Sequence, residues 1–402
     1  MTRLEFQVLV AHPGIQYAHE LATALELTGH LARFLSAVPV RDSLSKSRSV
    51  WFGHHLRSVP IPRAKRSHML PVALLRKTLA CPPLRVFADS GHKRLDQIHD
   101  IWVASQLARI KPNLVVCYES SALHTFRVAR RAGVTCVLDA ASVHHRFANT
   151  YLAELGVGVD AGHDRYKDKE IELADAVICL SEFAANTYIE AGVPKEKIYA
   201  VPLGTHLPMN RTSHPRGDSP QLRFVFVGSL LRRKGLDILL DVFEQLLQEN
   251  VPVELTLIGG VAEPDLLHRA RRLGNVKHIP FMPQEALFRE VAMHDCLILP
   301  SRFDSFGMVV AEAMAVGVPA IVSDRVGAKC IIEDHPKAGW IVSLESTKLK
   351  SQIMSLVHDK ASLVEARTAA VNAAADYSWD AYRRRVVVTL ETIYMSSVKC
   401  KK

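Results

Sequence analysis

Short apolar runs alternate with helix-length amphipathic segments along most of this chain, and that alternation constrains its fold more than any other feature. Each run suits a strand buried on both faces, and each intervening segment is long enough for the crossover that parallel strands require. In the first half, Phe6–Ala11, Leu31–Val38, Leu114–Tyr118, Thr135–Asp139, Ala176–Leu180 and Ile198–Val201 read as strands. Helices are expected over Tyr17–Thr28, Ser121–Ala132, Asp164–Leu173 and Glu182–Glu190. Residues 210–220 are polar, rich in turn formers and without periodicity, which reads as a linker. A second alternation opens at Arg223–Gly228, with strands near Val253–Ile258, Val276–Ile279, Cys296–Leu299, Pro319–Val322 and Gly339–Val342.

A chain of 402 residues is too long for one ordinary core. The expected division is therefore an N-terminal Rossmann-like domain over 1–211 and a C-terminal one over 212–377. A last helix at about 378–396, carrying Trp379, Tyr382, Val386, Leu390 and Tyr394 at helical spacing, can pack back on the first domain. Two doubly wound α/β domains of this kind leave a cleft facing the carboxyl ends of both sets of strands, where such sheets bind ligands.

Bulk properties narrow the function classes. Hydrophobic residues make up 48% and charged residues 23%, as in a folded globular protein. No apolar stretch approaches the roughly 18 residues of a membrane span, and the first residues run into a strand pattern instead of a signal peptide. The seven cysteines form no CxxC pair, so a zinc ribbon or disulfide framework is not expected and a reduced, cytoplasmic chain is. The net charge of +9 is concentrated: residues 41–77 hold Arg41, Lys46, Arg48, Arg57, Arg63, Lys65, Arg66, Arg76 and Lys77 against Asp42 alone. Trp51, Phe52, Leu56, Ile61, Met69 and Leu70 are interleaved with them. Such a stretch is either a solvated connection or a surface for anionic lipid head groups or an anionic acceptor. No recognition helix or RNA-binding aromatic motif accompanies it, so nucleic acid is not an expected partner.

The densest chemistry lies in Leu299–Ser323, which reads as strand, loop, helix, tight turn, strand. The loop Asp304, Ser305, Phe306, Gly307 would present free backbone N–H groups at a helix N-terminus, and Gly307 would let a ligand approach the chain closely. Glu312 follows more than one turn later, at about 1.5 Å rise per residue. Asp304 and Glu312 therefore need not converge on one bond as glycosidase carboxylates do, and suit two separate sets of ligand hydroxyls. A second element, Val227–Gly235, places Arg232, Arg233 and Lys234 between a strand and a helix, where cations can neutralise a departing diphosphate. Gly14 follows the first strand, and His144 with His145 follows the strand ending at Asp139. A metal at the paired histidines lacks an evident third ligand at suitable spacing.

Together these segments resemble the retaining GT-B glycosyltransferases of the sucrose-synthase-like and mannosyltransferase-like group 4 families, which carry an acid, seven residues, then Glu. The resemblance runs from about residue 8 to 390 and is diffuse between 40 and 110. It implies that Asp304 binds donor-sugar hydroxyls and Glu312 the ribose. Lys234 with Arg232 or Arg233, and the backbone of Ser305 to Met308, would hold the diphosphate. It further implies Gly14 beside the diphosphate, His144 beside the donor sugar, and Gly260 and Phe281 near the nucleobase. Ser229 stands where the family usually has Arg, Ser305 where it has Gly, and Asp304 where Glu is commoner. The expected activity is transfer of a sugar from a nucleotide-diphosphate sugar to a sugar or lipid-linked hydroxyl acceptor, in cell-surface polysaccharide or glycolipid synthesis. No cofactor or metal is expected, and the chain would sit in the cytoplasm or on the inner face of the membrane. Alternatives on the same fold are a sugar-nucleotide epimerase or hydrolase, and a catalytically silent partner subunit.

Overall fold

The computed structural model describes residues 6–14, 16–39, 41–42, 58–79, 88–158, 160–208 and 221–400. The expected linker and the domain boundary near 212 lie outside them, as does most of the basic stretch before residue 58.

The N-terminal strands are β1 (Val8–His12), β2 (Leu31–Ser36), β3 (Arg41–Asp42), β4 (Ser58–Val59), β5 (Arg66–His68), β6 (Leu114–Tyr118), β7 (Thr135–Ala140), β8 (Ala176–Cys179) and β9 (Ile198–Ala200). Seven of them form one sheet in the order β5-β2-β1-β6-β7-β8-β9, and β3 pairs only with β4. The C-terminal sheet has the order β12-β11-β10-β13-β14-β15, built from β10 (Leu222–Val227), β11 (Val253–Ile258), β12 (Val276–Ile279), β13 (Cys296–Leu299), β14 (Ala320–Ser323) and β15 (Gly339–Val342). Every pairing is parallel. β1, β7 and β13 are buried along their whole length, which explains why they read as continuous apolar runs without alternation.

The strand order reverses beside β1 in one sheet and beside β10 in the other, so each sheet opens a crevice at the carboxyl ends of its central strands. The helix Trp379–Cys400 returns from the C-terminal sheet to the first domain. Its Tyr394 stacks on Phe6 with ring centroids 5.0 Å apart, Arg383 Nε donates to Glu20 Oε2 at 2.8 Å, and Ser397 meets Thr135 at 2.8 Å. The two chain crossings also hold each other: Thr205 N donates to Tyr377 O at 2.8 Å, and Trp379 N donates to Thr205 O at 3.2 Å. One apolar core consequently runs from Phe6 and Leu21 through Tyr382 and Leu390 into Phe224 and Leu239. No helix among the described residues is long and apolar enough to cross a membrane.

Candidate functional site

Two cavities open between the domains, one on each side of the loop Asp304–Gly307. The larger, about 510 Å³, lies between the first-domain helices His145–Glu154 and Ala161–Leu173 and the second-domain residues Arg233, Phe303, Asp304 and Ser305. The smaller, about 410 Å³, is bounded by Gln16, Tyr17 and Trp379 on one side and by Lys234 and Asp304–Val309 on the other. Asp304 and Ser305 border both.

Local backbone geometry fixes this loop. Gly307 caps the helix Met308–Ala315 with φ of 88°, and a Cβ there would lie 2.9 Å from Val326 Cγ1. Only glycine fits both the dihedral and the contact, and the first residues of the helix, Met308 and Val309, line the smaller cavity. Phe306 is buried beneath and acts as the loop's anchor. Ser305 is tied to the first domain: its Oγ donates to Ala141 O at 2.7 Å, and its carbonyl accepts from Ser181 Oγ at 2.6 Å.

The basic segment is a single 3₁₀ turn, Arg232–Lys234, ahead of the helix Leu236–Gln248. Gly235 closes it with φ of 72°, and a Cβ there would fall 1.8 Å from Pro300 O. That close approach sets the turn against the exit of β13 and brings Lys234 Nζ into an ion pair with Asp304 Oδ2. The three cations then part. Arg232 turns to Glu263 and Asp265, away from both cavities. Arg233 stays on the larger cavity, with Nη1 donating to Phe303 O at 3.2 Å and its guanidinium 5.2 Å from the Phe303 ring centroid. Of the two arginines offered by the sequence, Arg233 is the one that the fold presents to the cleft.

The histidines divide differently from the sequence reading, which favoured His144. His144 is turned inward as the N-cap of its own helix: Nδ1 accepts from Arg146 N at 3.2 Å, and its N–H donates to Thr187 Oγ1 at 2.9 Å. Its ring packs on Tyr188 edge-on at 4.9 Å, and burial pushes its pKa down to about 3. His145, stacked on it at 4.2 Å, is the residue that lines the larger cavity. A cap residue satisfies an orphan helix N–H, and at this helix that local demand took the first histidine. The fold also supplies the third metal-type ligand that was not evident in the sequence. Asp168 comes within 3.2 Å of His145, and one ligand atom from each of His144, His145 and Asp168 lies within 4.8 Å of the others. Arg146 occupies both oxygens of that carboxylate at 3.2 Å, and the cap occupies Nδ1 of His144.

The remaining residues lie around this centre. Glu312 sits on the helix behind Gly307 and accepts from Gln284 Nε2 at 3.2 Å. Ser229 and Gly260 are exposed at the exits of β10 and β11, and Phe281, beyond β12, is 78% exposed. Gly14 donates its N–H to His12 Nδ1 at 2.8 Å, and Gln16 and Tyr17, not Gly14, line the smaller cavity. Tyr17 and Trp379 escaped the sequence reading. Tyr17 follows the loop that had been singled out, and its hydroxyl donates to Asp139 Oδ1 at 2.8 Å. Burial raises Asp139 to about 7, and the Tyr17 bond partly opposes that rise.

A carboxyl-edge cleft between two parallel α/β domains, sealed by a returning C-terminal helix, is the GT-B architecture. The Anabaena protein HepE, solved in complex with UDP, superposes on 96% of this chain and 100% of its own with a TM-score of 0.64, at 16% identity. Within that class, residues 213–376 match the family described as glycosyl transferases group 1. The D-inositol 3-phosphate glycosyltransferase of Segniliparus rotundus is 28% identical over 219 residues, 49% of this chain and 49% of its own length. The phosphatidyl-myo-inositol mannosyltransferase of Mycobacterium leprae is 27% identical over 171 residues, covering 42% and 45%. The matches thus span about half the length of these relatives or less.

Proposed function

We propose that the protein transfers a hexosyl group from a nucleotide-diphosphate sugar to an acceptor hydroxyl, with retention at the anomeric carbon and without a metal. The observation that carries this reading is the Lys234–Asp304 pair set against the open helix N-terminus at Gly307, in a cleft shared by both domains. An entering diphosphate takes over Lys234 and the first N–H groups of the helix, which frees Asp304 for sugar hydroxyls. As the bond from C1 to the phosphate oxygen breaks, the diphosphate keeps the electron pair. The acceptor oxygen bonds to C1 on the same face, and its proton passes to the departing phosphate. Arg233, on the larger cavity beside Asp304, adds positive potential to that phosphate. Lysine and backbone donors supply the charge stabilisation that a divalent ion provides elsewhere.

The relatives named above act on an inositol phosphate and a phosphatidylinositol, which supports a polyol hydroxyl as the receiving group and a role in glycolipid or surface-glycan synthesis. The helix Leu70–Leu79 supports work at a membrane surface, since Leu70, Leu74 and Leu75 are exposed beside Lys77. Salt-sensitive flotation with vesicles containing anionic lipid tests that point.

The deciding experiment is a thermal-shift screen against UDP, GDP and ADP and their sugars, followed by transfer assays with NMR analysis of the new linkage. A nucleotide at 100 times its dissociation constant raises stability by about 2.7 kcal/mol. The expected result is a shift for one base, weakened by Glu312→Ala, and an axial-or-equatorial configuration conserved from donor to product in the presence of EDTA. Free sugar or an epimerised nucleotide sugar as the main product would favour the hydrolase or epimerase alternative.

A further inference from the structure

We infer that the larger cavity is the acceptor subsite and that it is built for an uncharged polyol, a neutral sugar or cyclitol ring, in preference to a phosphorylated one. This inference rests on the transfer reading and deepens it. The position of the cavity is the first argument. It shares Asp304 and Ser305 with the smaller cavity, so a ligand inside it faces whatever sugar Asp304 holds from the side opposite Trp379 and Met308.

Charge is the second argument. The lining carries three cations, Lys93, Lys167 and Arg233, and three carboxylates, Asp160, Asp164 and Asp304. Arg233 rests on Phe303, donating to its carbonyl and lying over its ring, and the other five are matched. Lys93 Nζ lies 2.7 Å from Asp160 Oδ2, Asn149 donates to Asp164 Oδ2 at 2.8 Å, and Lys167 lies 3.7 Å from the buried Glu119. Asp304 is paired with Lys234 from the other cavity. Burial, with Lys167 and Lys93 beside it, pushes the lining imidazole of His163 down to about 4, so it adds no positive charge near neutral pH. Among the described residues, a phosphate dianion placed here would confront three carboxylates and find Arg233 alone, not a cluster of cations, free of a carboxylate to replace its water. A neutral ring meets the opposite situation. Alternating carboxylate, amide, imidazole and ammonium groups can each trade one bond with a hydroxyl, and no net charge has to be desolvated.

Paired acceptors provide the test. With purified full-length protein and the donor that gives the largest thermal shift, nucleotide release is measured with myo-inositol against inositol 1-phosphate, and with glucose against glucose 6-phosphate. The expected result is kcat/KM at least about tenfold higher for the neutral member. Asp164→Asn makes the cavity one charge more positive and should narrow that ratio, whereas Lys93→Gln makes it more negative and should widen it, each by about tenfold. General damage to the fold would lower both members alike in both variants. Preference for the phosphorylated member, or no transfer to either neutral ring while the donor shift is intact, overturns the inference. Absence of any nucleotide shift or nucleotide-sugar turnover brings down the transfer reading itself.

Discussion

The two domains share a parallel-sheet plan but treat charge beneath the cleft in different ways. In the first domain, Asp100, Glu119, Asp139 and Glu170 are all buried behind the carboxyl edge of the sheet. Their partners are mostly backbone amides and phenols: Glu170 accepts from Ser120 N and Ala122 N at 2.7 Å each, and Asp139 from Tyr17. Burial outweighs those bonds and raises Glu170 to about 8. In the second domain, the acids at the cleft face cations across neighbouring loops, as Asp304 does Lys234 and Asp237 does Arg302 at 2.7 Å. Burial makes ionisation costly for the first-domain acids, and the bonds from neutral donors offset only part of that cost. A cationic partner, by contrast, can be exchanged for a charged ligand. The first domain therefore offers a shaped wall, and the second offers the exchangeable charges that the proposed handling of phosphate requires.

The comparison breaks most visibly at Lys234. Lys234→Ala is expected to lower kcat by about 100–1000-fold with little change in melting temperature, because it removes charge stabilisation and not packing. Initial-rate assays alongside thermal melts would show it, and a drop under tenfold would mean that phosphate is handled elsewhere. Next in size is the pair that couples the domains, Arg383 with the nearly buried Glu20. Arg383→Met leaves that carboxylate without its guanidinium and should cost about 3 kcal/mol, read from urea unfolding.

The smallest effect concerns pH. Asp139 has a folded pKa near 7 against 3.8 for the free group, so the native state holds its proton more tightly than the unfolded chain does. Stability from this site is then full below about pH 4 and declines as pH rises toward and through 7; Glu170 extends the decline toward 8. Asp139→Asn keeps an acceptor for Tyr17 and cannot ionise. Unfolding measured at pH 5 and pH 8 should show a smaller loss in the variant than in the wild type, by about 1–2 kcal/mol. Equal losses would mean that Asp139 is already charged in the fold.

The C-terminal domain was the more legible in sequence, and the physical cause is burial. β13, covered on both faces, leaves an unbroken apolar run, and the Asp304–Gly307 turn follows it directly. The first-domain strand Arg66–His68 left no such trace. It is polar, sits at the sheet edge and pairs only with β2, so no residue pattern had to mark it. The helices Leu70–Leu79 and Ala88–Ile110 were also hidden. Their outward faces carry Leu74, Leu75, Ile98 and Ile101, which blurs the contrast that reveals a helix. At the site, Lys234, Asp304 and Gly307 were readable because neighbours in sequence build them. His145 over His144, Asp168, Asp160, Asp164 and Lys167 depend on how the helices after β7 are docked, and Lys93 on the helix Ala88–Ile110 beside them, which no local pattern encodes.

The returning helix has one more consequence, which concerns time. Residues made late supply part of the packing for residues made early: Phe6 is covered by Tyr394, and Glu20 finds its cation in Arg383. During synthesis, the opening domain must wait with that face uncovered while the whole second domain emerges and folds. The packing around Phe6 and Glu20 thus waits for residues 383–394, and a ribosome that stalls before them would release a first domain still lacking its cover.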